Sequence, residues 1–205
     1  MKTDSSCSKC WKELESCICA QIEPIQNSIE VLILQHPQEA RSSLTTSRLL
    51  ALGLKNCTHR VGFSWGSLKA ALKKEVKAER WVVLFVGTQK SAEKVVKDKL
   101  FEVVDKKGNP APKEEIQGIV VLDGNWKQSK TLWWRNPWLL KLKRIVLNPS
   151  APSLYGNLRK EPRAGLLSTI EATALALDVL GEKSSAKAHL EKIFEEQVKA
   201  WKKLR

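Results

Sequence analysis

Four short apolar runs punctuate the chain, at residues 29–34, 81–86, 119–122 and 144–147, each rich in Val, Ile and Leu and without polar alternation. A strand wetted on one face alternates apolar and polar positions, whereas one covered on both faces does not, so these runs predict parallel strands inside a sheet. Between them, segments 46–54, 65–78, 91–100 and 127–134 read as helices, and the repeated strand–helix order predicts an α/β fold. The stretch around Gly108 to Pro112 reads as a connecting loop. Two longer helices close the chain. Ser168 and Glu171 have capping-box spacing at the start of the first, which runs through Ala172 and Ala174 to Leu180 and stops at Gly181. The second sets Leu190, Ile193, Phe194, Trp201 and Leu204 on one face and Lys and Glu on the other, the pattern of an amphipathic packing helix.

Length and composition narrow the organisation. With 205 residues, 42% hydrophobic and 28% charged, the chain has enough apolar material for one ordinary domain plus a small appendage, and a wholly disordered chain is excluded. Cys7, Cys10, Cys17 and Cys19 crowd the first nineteen residues as C-x2-C-x6-C-x-C, and the composition then changes abruptly. The expected division is a cysteine-rich knuckle at 1–24 and a main domain at 25–205. The opening MKTDSSCSKC lacks the apolar core of a secretory signal, and no apolar run is long enough to span a bilayer, so a cytoplasmic protein without a membrane role is expected. Thiols stay reduced there, and four thiolates at this spacing can wrap one tetrahedral ion; zinc is the expected occupant, against two disulfides or a redox pair. Cys57 stands alone and reads as a small buried hydrophobe.

Thirty-five Lys and Arg against 22 Asp and Glu give a net charge of +13. Such a field attracts polyanions, which makes nucleic acid the leading partner class, ahead of a merely soluble basic surface and of acidic lipid. Lys127, Lys130, Arg135, Lys141, Lys143 and Arg144 supply positive charge around the region discussed next.

In open α/β sheets ligands bind beyond the carboxyl ends of the strands. The residues following the four runs are Gln35-His36-Pro37, Gly87-Thr88, Asp123-Gly124-Asn125-Trp126 and the long loop 148–167. Asp123, next to a buried strand and a glycine, has three open readings: a base, a group that orients a nucleophile, or the cap of the next helix. Trp126 reads as core or as a wall against a ligand. The long loop holds the only tyrosine, Tyr155, with Ser153, Arg159 and Arg163; an arginine fork suits a carboxylate or a phosphate. His36 reads as a structural strand-end histidine. No G-x-G-x-x-G follows a strand and no G-x-x-x-x-G-K-[ST] occurs, so a nucleoside cofactor would have to bind by other means.

Taken in order, the cysteine cluster, Gln35-His36-Pro37 with Glu39, Asp123-Gly-Asn-Trp126, Ser153-Leu-Tyr155 with Arg159, and Leu167-Ser-Thr-Ile-Glu171-Ala172 resemble the DTW-domain family, which includes tRNA-uridine aminocarboxypropyltransferases. The family signature is Asp, any residue, Thr, Trp; here Asn125 stands at the Thr position, and the Tyr155 to Arg159 interval is slightly longer than usual. The resemblance implies a SPOUT-like parallel sheet with a C-terminal trefoil knot holding S-adenosylmethionine. It also implies transfer of the 3-amino-3-carboxypropyl group to N3 of a tRNA uridine, with release of 5′-methylthioadenosine. On that reading Asp123 is catalytic and accepts or orients the N3 proton. The cofactor would be held by Gly87, Thr88, Leu122, Trp126, Leu147, Ser153, Tyr155, Arg159, Leu167, Ser168 and Thr169, and the RNA by Lys127, Lys130, Arg135, Lys143 and Arg163. Two rivals predict different products: a SPOUT-like RNA methyltransferase releases S-adenosylhomocysteine, and a noncatalytic zinc-containing RNA-binding module releases nothing. The oligomeric state is left open.

Overall fold

The structure is a computed structural model, and the residues described in it are 6–84, 99–149, 151–158 and 167–204. The described strands form one six-stranded sheet in the order β2-β1-β5-β3-β6-β4. They are β1 (Glu30–Gln35), β2 (Cys57–Val61), β3 (Trp81–Leu84), β4 (Phe101–Val104), β5 (Gly118–Asp123) and β6 (Lys143–Leu147). All neighbours are parallel except β4, which runs antiparallel to β6. The helices are α1 (Ser47–Gly53), α2 (Leu68–Leu72), α3 (Trp126–Arg135), α4 (Thr169–Val179) and α5 (Ala186–Lys203).

Each apolar run is a strand, within two residues at its start; the end of the second run, 85–86, lies outside the described residues. Every residue of β1, β3 and β5 is buried, as expected for interior strands sandwiched between helices. Successive side chains point to opposite faces. Val31, Ile33, Val82, Ile119, Val121 and Ile145 pack with α1, α4 and α5, and Leu32, Leu34, Val83, Val120 and Leu122 pack with α2, α3 and the following 3-10 turn. Each such side chain stabilises the fold by about 1.5–3 kcal/mol relative to exposure.

One sequence expectation needs correcting. Helix is absent from most of 65–78: Ser67 caps α2 by accepting from Ala70 N, and Lys73, at φ 61°, ends it after five residues. The charged run beyond it supplies no apolar stripe with which to continue. Segment 91–100, read as a helix, lies outside the described residues up to 98, and a strand, β4, follows at Phe101.

The strands β2 and β4, which periodicity did not indicate, are the sheet edges: β2 is half-buried up to exposed Val61, and β4 has half-buried Phe101 and Glu102 before buried Val103 and Val104, so both carry mixed polarity. Cys57 lies on β2, half-buried, and burial pushes its thiol up to about 12. At the end of α4 Gly181 adopts φ 86°, a left-handed stop that a side chain disfavours. Among the described residues no helix is long and apolar enough to cross a membrane.

Candidate active site and metal centre

The carboxyl ends of β1 and β5 lie side by side, with Gln35 paired to Asp123 in register. Asp123 is only 3% exposed. Its Oδ2 accepts from Gln35 Nε2 (2.7 Å) and Thr45 Oγ1 (3.2 Å), and its Oδ1 accepts from Thr169 Oγ1. A buried carboxylate needs such partners, and these come from the end of β1, the turn before α1 and the start of α4. Gln35 Nε2 also lies 2.7 Å from Ser47 Oγ, which leaves Gln35 Oε1 facing His59 Nε2 at 3.1 Å. His59 is therefore the donor of that pair. Burial first, and the charge of Arg48 second, hold it in the neutral form down to about pH 4.

Asp123 is the last residue of its strand and does not cap the next helix. Asn125 does: its side chain accepts from Gln128 N (3.1 Å) while Gln128 Oε1 accepts from Asn125 N (2.7 Å), a complete capping box. Thr and Asn are both N-cap residues, so Asn125 fills the signature's Thr position with the same local chemistry. A side chain on Gly124 would stand 2.8 Å from Gln128 Cβ, so the tight turn requires glycine. Trp126, first residue of α3, is 46% exposed beside this turn.

A second network joins loop 153–158 to α4. Glu171 accepts from Ser153 Oγ (2.6 Å), Leu154 N (2.7 Å) and Ser168 N (2.8 Å), and Ser168 Oγ accepts from Glu171 N (3.3 Å). Ile170 N donates to Thr46 Oγ1 (3.2 Å), so three of the four amides from Ser168 to Glu171 already have side-chain acceptors. Tyr155 is buried against Phe194 and Trp201, and its hydroxyl donates to Leu44 O. Ser153 and Tyr155 thus brace the walls of the site.

The four N-terminal cysteines are free thiols whose sulfurs all lie within 4.8 Å of one another. Cys7 and Cys19 are 3.9 Å apart, and Cys10 and Cys17 3.7 Å. A tetrahedron with metal–sulfur bonds of about 2.3 Å has edges of about 3.8 Å, so the donor set fits a metal ion, and the separations are well beyond the ~2.05 Å of a disulfide. The Cys10 backbone N–H, foremost among several donors, lowers the Cys7 thiol to about 6, while burial pushes Cys10 and Cys19 up.

This knuckle is wired to the carboxylate network. Lys12 is only 2% exposed, and its ammonium donates to Ser43 O (2.9 Å) and Thr45 O (2.8 Å) while lying 4.5 Å from the centre of the Trp201 ring. Together with Tyr155 on Leu44 O, it fixes three successive carbonyls just before Thr45 reaches Asp123. Gln197 Nε2 on Ser16 O (2.9 Å) and Arg48 stacked on Trp11 at 3.3 Å complete the docking.

The remaining expected residues are divided. Leu122 is buried in the core on the α3 side; Leu147 and Leu167 are half-buried. Lys127, Lys130 and Arg135 are exposed on α3. Lys143 begins β6 opposite Val82, at the other end of the sheet from Asp123, and Arg144 donates to Asp105 O and Lys106 O beyond β4. Gly87, Thr88, Arg159 and Arg163 lie outside the described residues. Sequence reasoning missed Lys12, Thr45, Ser47 and His59. A run of three hydroxyl residues, Thr45-Thr46-Ser47, opening an apolar helix was the available signal for two of them.

The DTW domain family model matches residues 4–202. A relative from Drosophila melanogaster, tRNA-uridine aminocarboxypropyltransferase 2, is 29% identical over 182 residues, covering 86% of this chain and 66% of that protein. One of the same name from Mus musculus is 28% identical over 180 residues, 85% of this chain and 56% of the relative. The Arabidopsis thaliana tRNA-uridine aminocarboxypropyltransferase A is 26% identical over 193 residues, 85% of this chain and 72% of the relative. The chain thus spans between about half and two thirds of the length of the animal relatives it matches. No solved structure matches it.

Proposed function

This chain belongs to the DTW-domain family, and from that premise we propose that it transfers the 3-amino-3-carboxypropyl group of S-adenosylmethionine to N3 of a uridine in tRNA, releasing 5′-methylthioadenosine. The observation that carries the reading is convergence: motif segments far apart in the chain meet through the bonds of Asp123 to Gln35 and Thr169, and of Glu171 to Ser153. S-adenosylmethionine supplies an electrophilic methylene next to its sulfonium. The protein's task is to present that carbon to an unpaired uridine edge and to orient the departing proton.

Within this reading N3 bonds to the methylene as the sulfonium–carbon bond breaks, and the N3 proton passes through the Thr169 hydroxyl to Asp123, which accepts from that hydroxyl at the start of α4. Exposed Trp126 walls the ligand, and half-buried Leu147 and Leu167 add apolar lining. Arg159 is assigned to the substrate carboxylate, because the α4 amides are largely taken and Glu171 places a negative charge beside them. Gly87 and Thr88 complete the cofactor set. Lys127, Lys130, Arg135 and Arg163 are assigned to RNA; Lys143, at the far end of the sheet from Asp123, is not assigned to the same RNA face. The four cysteines hold zinc as a closed structural site. A SPOUT-like fold with a C-terminal trefoil knot is part of the proposal. A cytoplasmic location is part of the proposal.

The test is incubation with S-adenosylmethionine and unmodified tRNA, followed by mass spectrometry of nucleosides and of the released thioether. Aminocarboxypropyl-uridine with methylthioadenosine is expected. Methyluridine with S-adenosylhomocysteine, or tRNA binding without product, overturns the proposal in favour of a methyltransferase or a binding module respectively.

A further inference from the structure

The turn after β2 carries an aromatic ring that the chemistry above does not use. Phe63 is 43% exposed, yet its backbone is firmly held. Asn136, fully buried, donates from Nδ2 to Phe63 O (3.0 Å) and Leu132 O (2.8 Å) and accepts from Trp65 N (2.8 Å). Ser64 Oγ donates to Arg135 O (2.9 Å), and Trp138 Nε1 donates to Trp65 O (2.9 Å). These bonds fix the backbone of the turn, so the ring is held in place at the surface. The ring meets the His36 imidazole edge-on at 5.0 Å, and the Arg135 guanidinium lies over one face of it, 5.3 Å from its centre. His36 N in turn donates to Asp123 O (2.9 Å), so the ring stands one residue away from the candidate site.

We propose that Phe63 and Arg135 form a stacking platform for an unpaired RNA base beside the Asp123 end of the sheet. A preorganised aromatic face next to a guanidinium matches a nucleotide, which offers a π face and a phosphate together. Exposed Lys127 and Lys130 extend the positive charge along α3. An apolar peptide fits less well, because covering the ring would desolvate Arg135 without a counter-charge. A second copy of this chain carries the same +13 and is repelled. His36 contributes no competing charge, since burial first and Arg135 second favour its neutral form.

The location of the reacting base rests on the function proposed above, but binding is measured without turnover. Fluorescence anisotropy with a short labelled single-stranded oligouridine is the assay. Phe63→Leu, which keeps the apolar contact with His36, is expected to weaken binding about tenfold, and Phe63→Tyr to restore it, at unchanged melting temperature and unchanged S-adenosylmethionine affinity. Arg135→Gln is expected to weaken binding and lower the salt slope by about one. A 4-thiouridine probe irradiated on the wild-type protein is expected to crosslink to the 60–65 peptide, which covers the case in which a variant misfolds. Equal affinity of Phe63→Leu and wild type, equal losses in the Leu and Tyr variants, crosslinks only elsewhere, or self-association that depends on Phe63 each overturn the platform. If binding depends on Phe63 while no aminocarboxypropyl product forms, the platform stands and the proposed reaction fails.

Discussion

The orientation of a single amide sets the polarity of the candidate site. Because Gln35 Nε2 faces Asp123, Thr45 and Ser47, its oxygen faces His59, and His59 must donate. An unfolded imidazole titrates near 6.5, whereas burial and Arg48 bring the folded one to about 4. Between those values the unfolded chain binds a proton that the folded protein refuses. His59 therefore costs stability as pH falls through that window, by about 3 kcal/mol at the low end. Urea unfolding at a series of pH values should show this slope, and His59→Gln, which keeps a donor, should flatten it. At Asp123 the Asn substitution keeps shape but forces the Thr169 hydroxyl to reverse and accept. Asp123→Asn should cost about 1–2 kcal/mol in a denaturation curve and reduce transfer at least about a hundredfold in a single-turnover assay. Retention of near-wild-type turnover removes Asp123 from the mechanism.

At the scale of elements, the cysteine knuckle braces the segment before α1 as well as setting out four thiols that fit a metal ion. Lys12 leaves the knuckle and binds two carbonyls of that segment, so loss of the ammonium leaves both without this buried donor. Lys12→Met, which keeps the stem against Trp201, should lower stability by about 2–3 kcal/mol and speed amide exchange in residues 43–47. The intact protein should carry about one metal ion by elemental analysis, and chelation under reducing conditions should speed exchange in the same residues. Unchanged exchange after either treatment separates the knuckle from the site. Elements also differ in how readily they were read. The interior strands announced themselves as unbroken apolar runs, and the capping box at Ser168 and Glu171 marked α4 through residues only three apart. The edge strands β2 and β4 lacked such a run because polar residues interrupt them, Thr58, His59 and Arg60 in the first and Glu102 in the second, and the helix expected over 65–78 was cut short at Lys73.

For the whole molecule, the excess of positive charge governs association rather than fold. Affinity for tRNA should fall by orders of magnitude between about 50 and 200 mM salt, while S-adenosylmethionine affinity changes little, because only the polyanion releases condensed counterions. Dissociation constants for both ligands over one salt series check this; parallel slopes count against an RNA-binding face. The sequence by itself determined the α/β class, the four main strands, the closing helices, the cysteine cluster and the motif segments, since each depends on neighbours along the chain. Tertiary structure alone decided what the polar residues do. Asp123 meets Thr45, 78 positions away, and Thr169, 46 away, only because β5 lies between β1 and β3 and the chain returns after β6. Local patterns report whether a side chain is suited to burial. The partner of a buried carboxylate or ammonium is set by strand order and helix docking, which neighbouring residues do not encode.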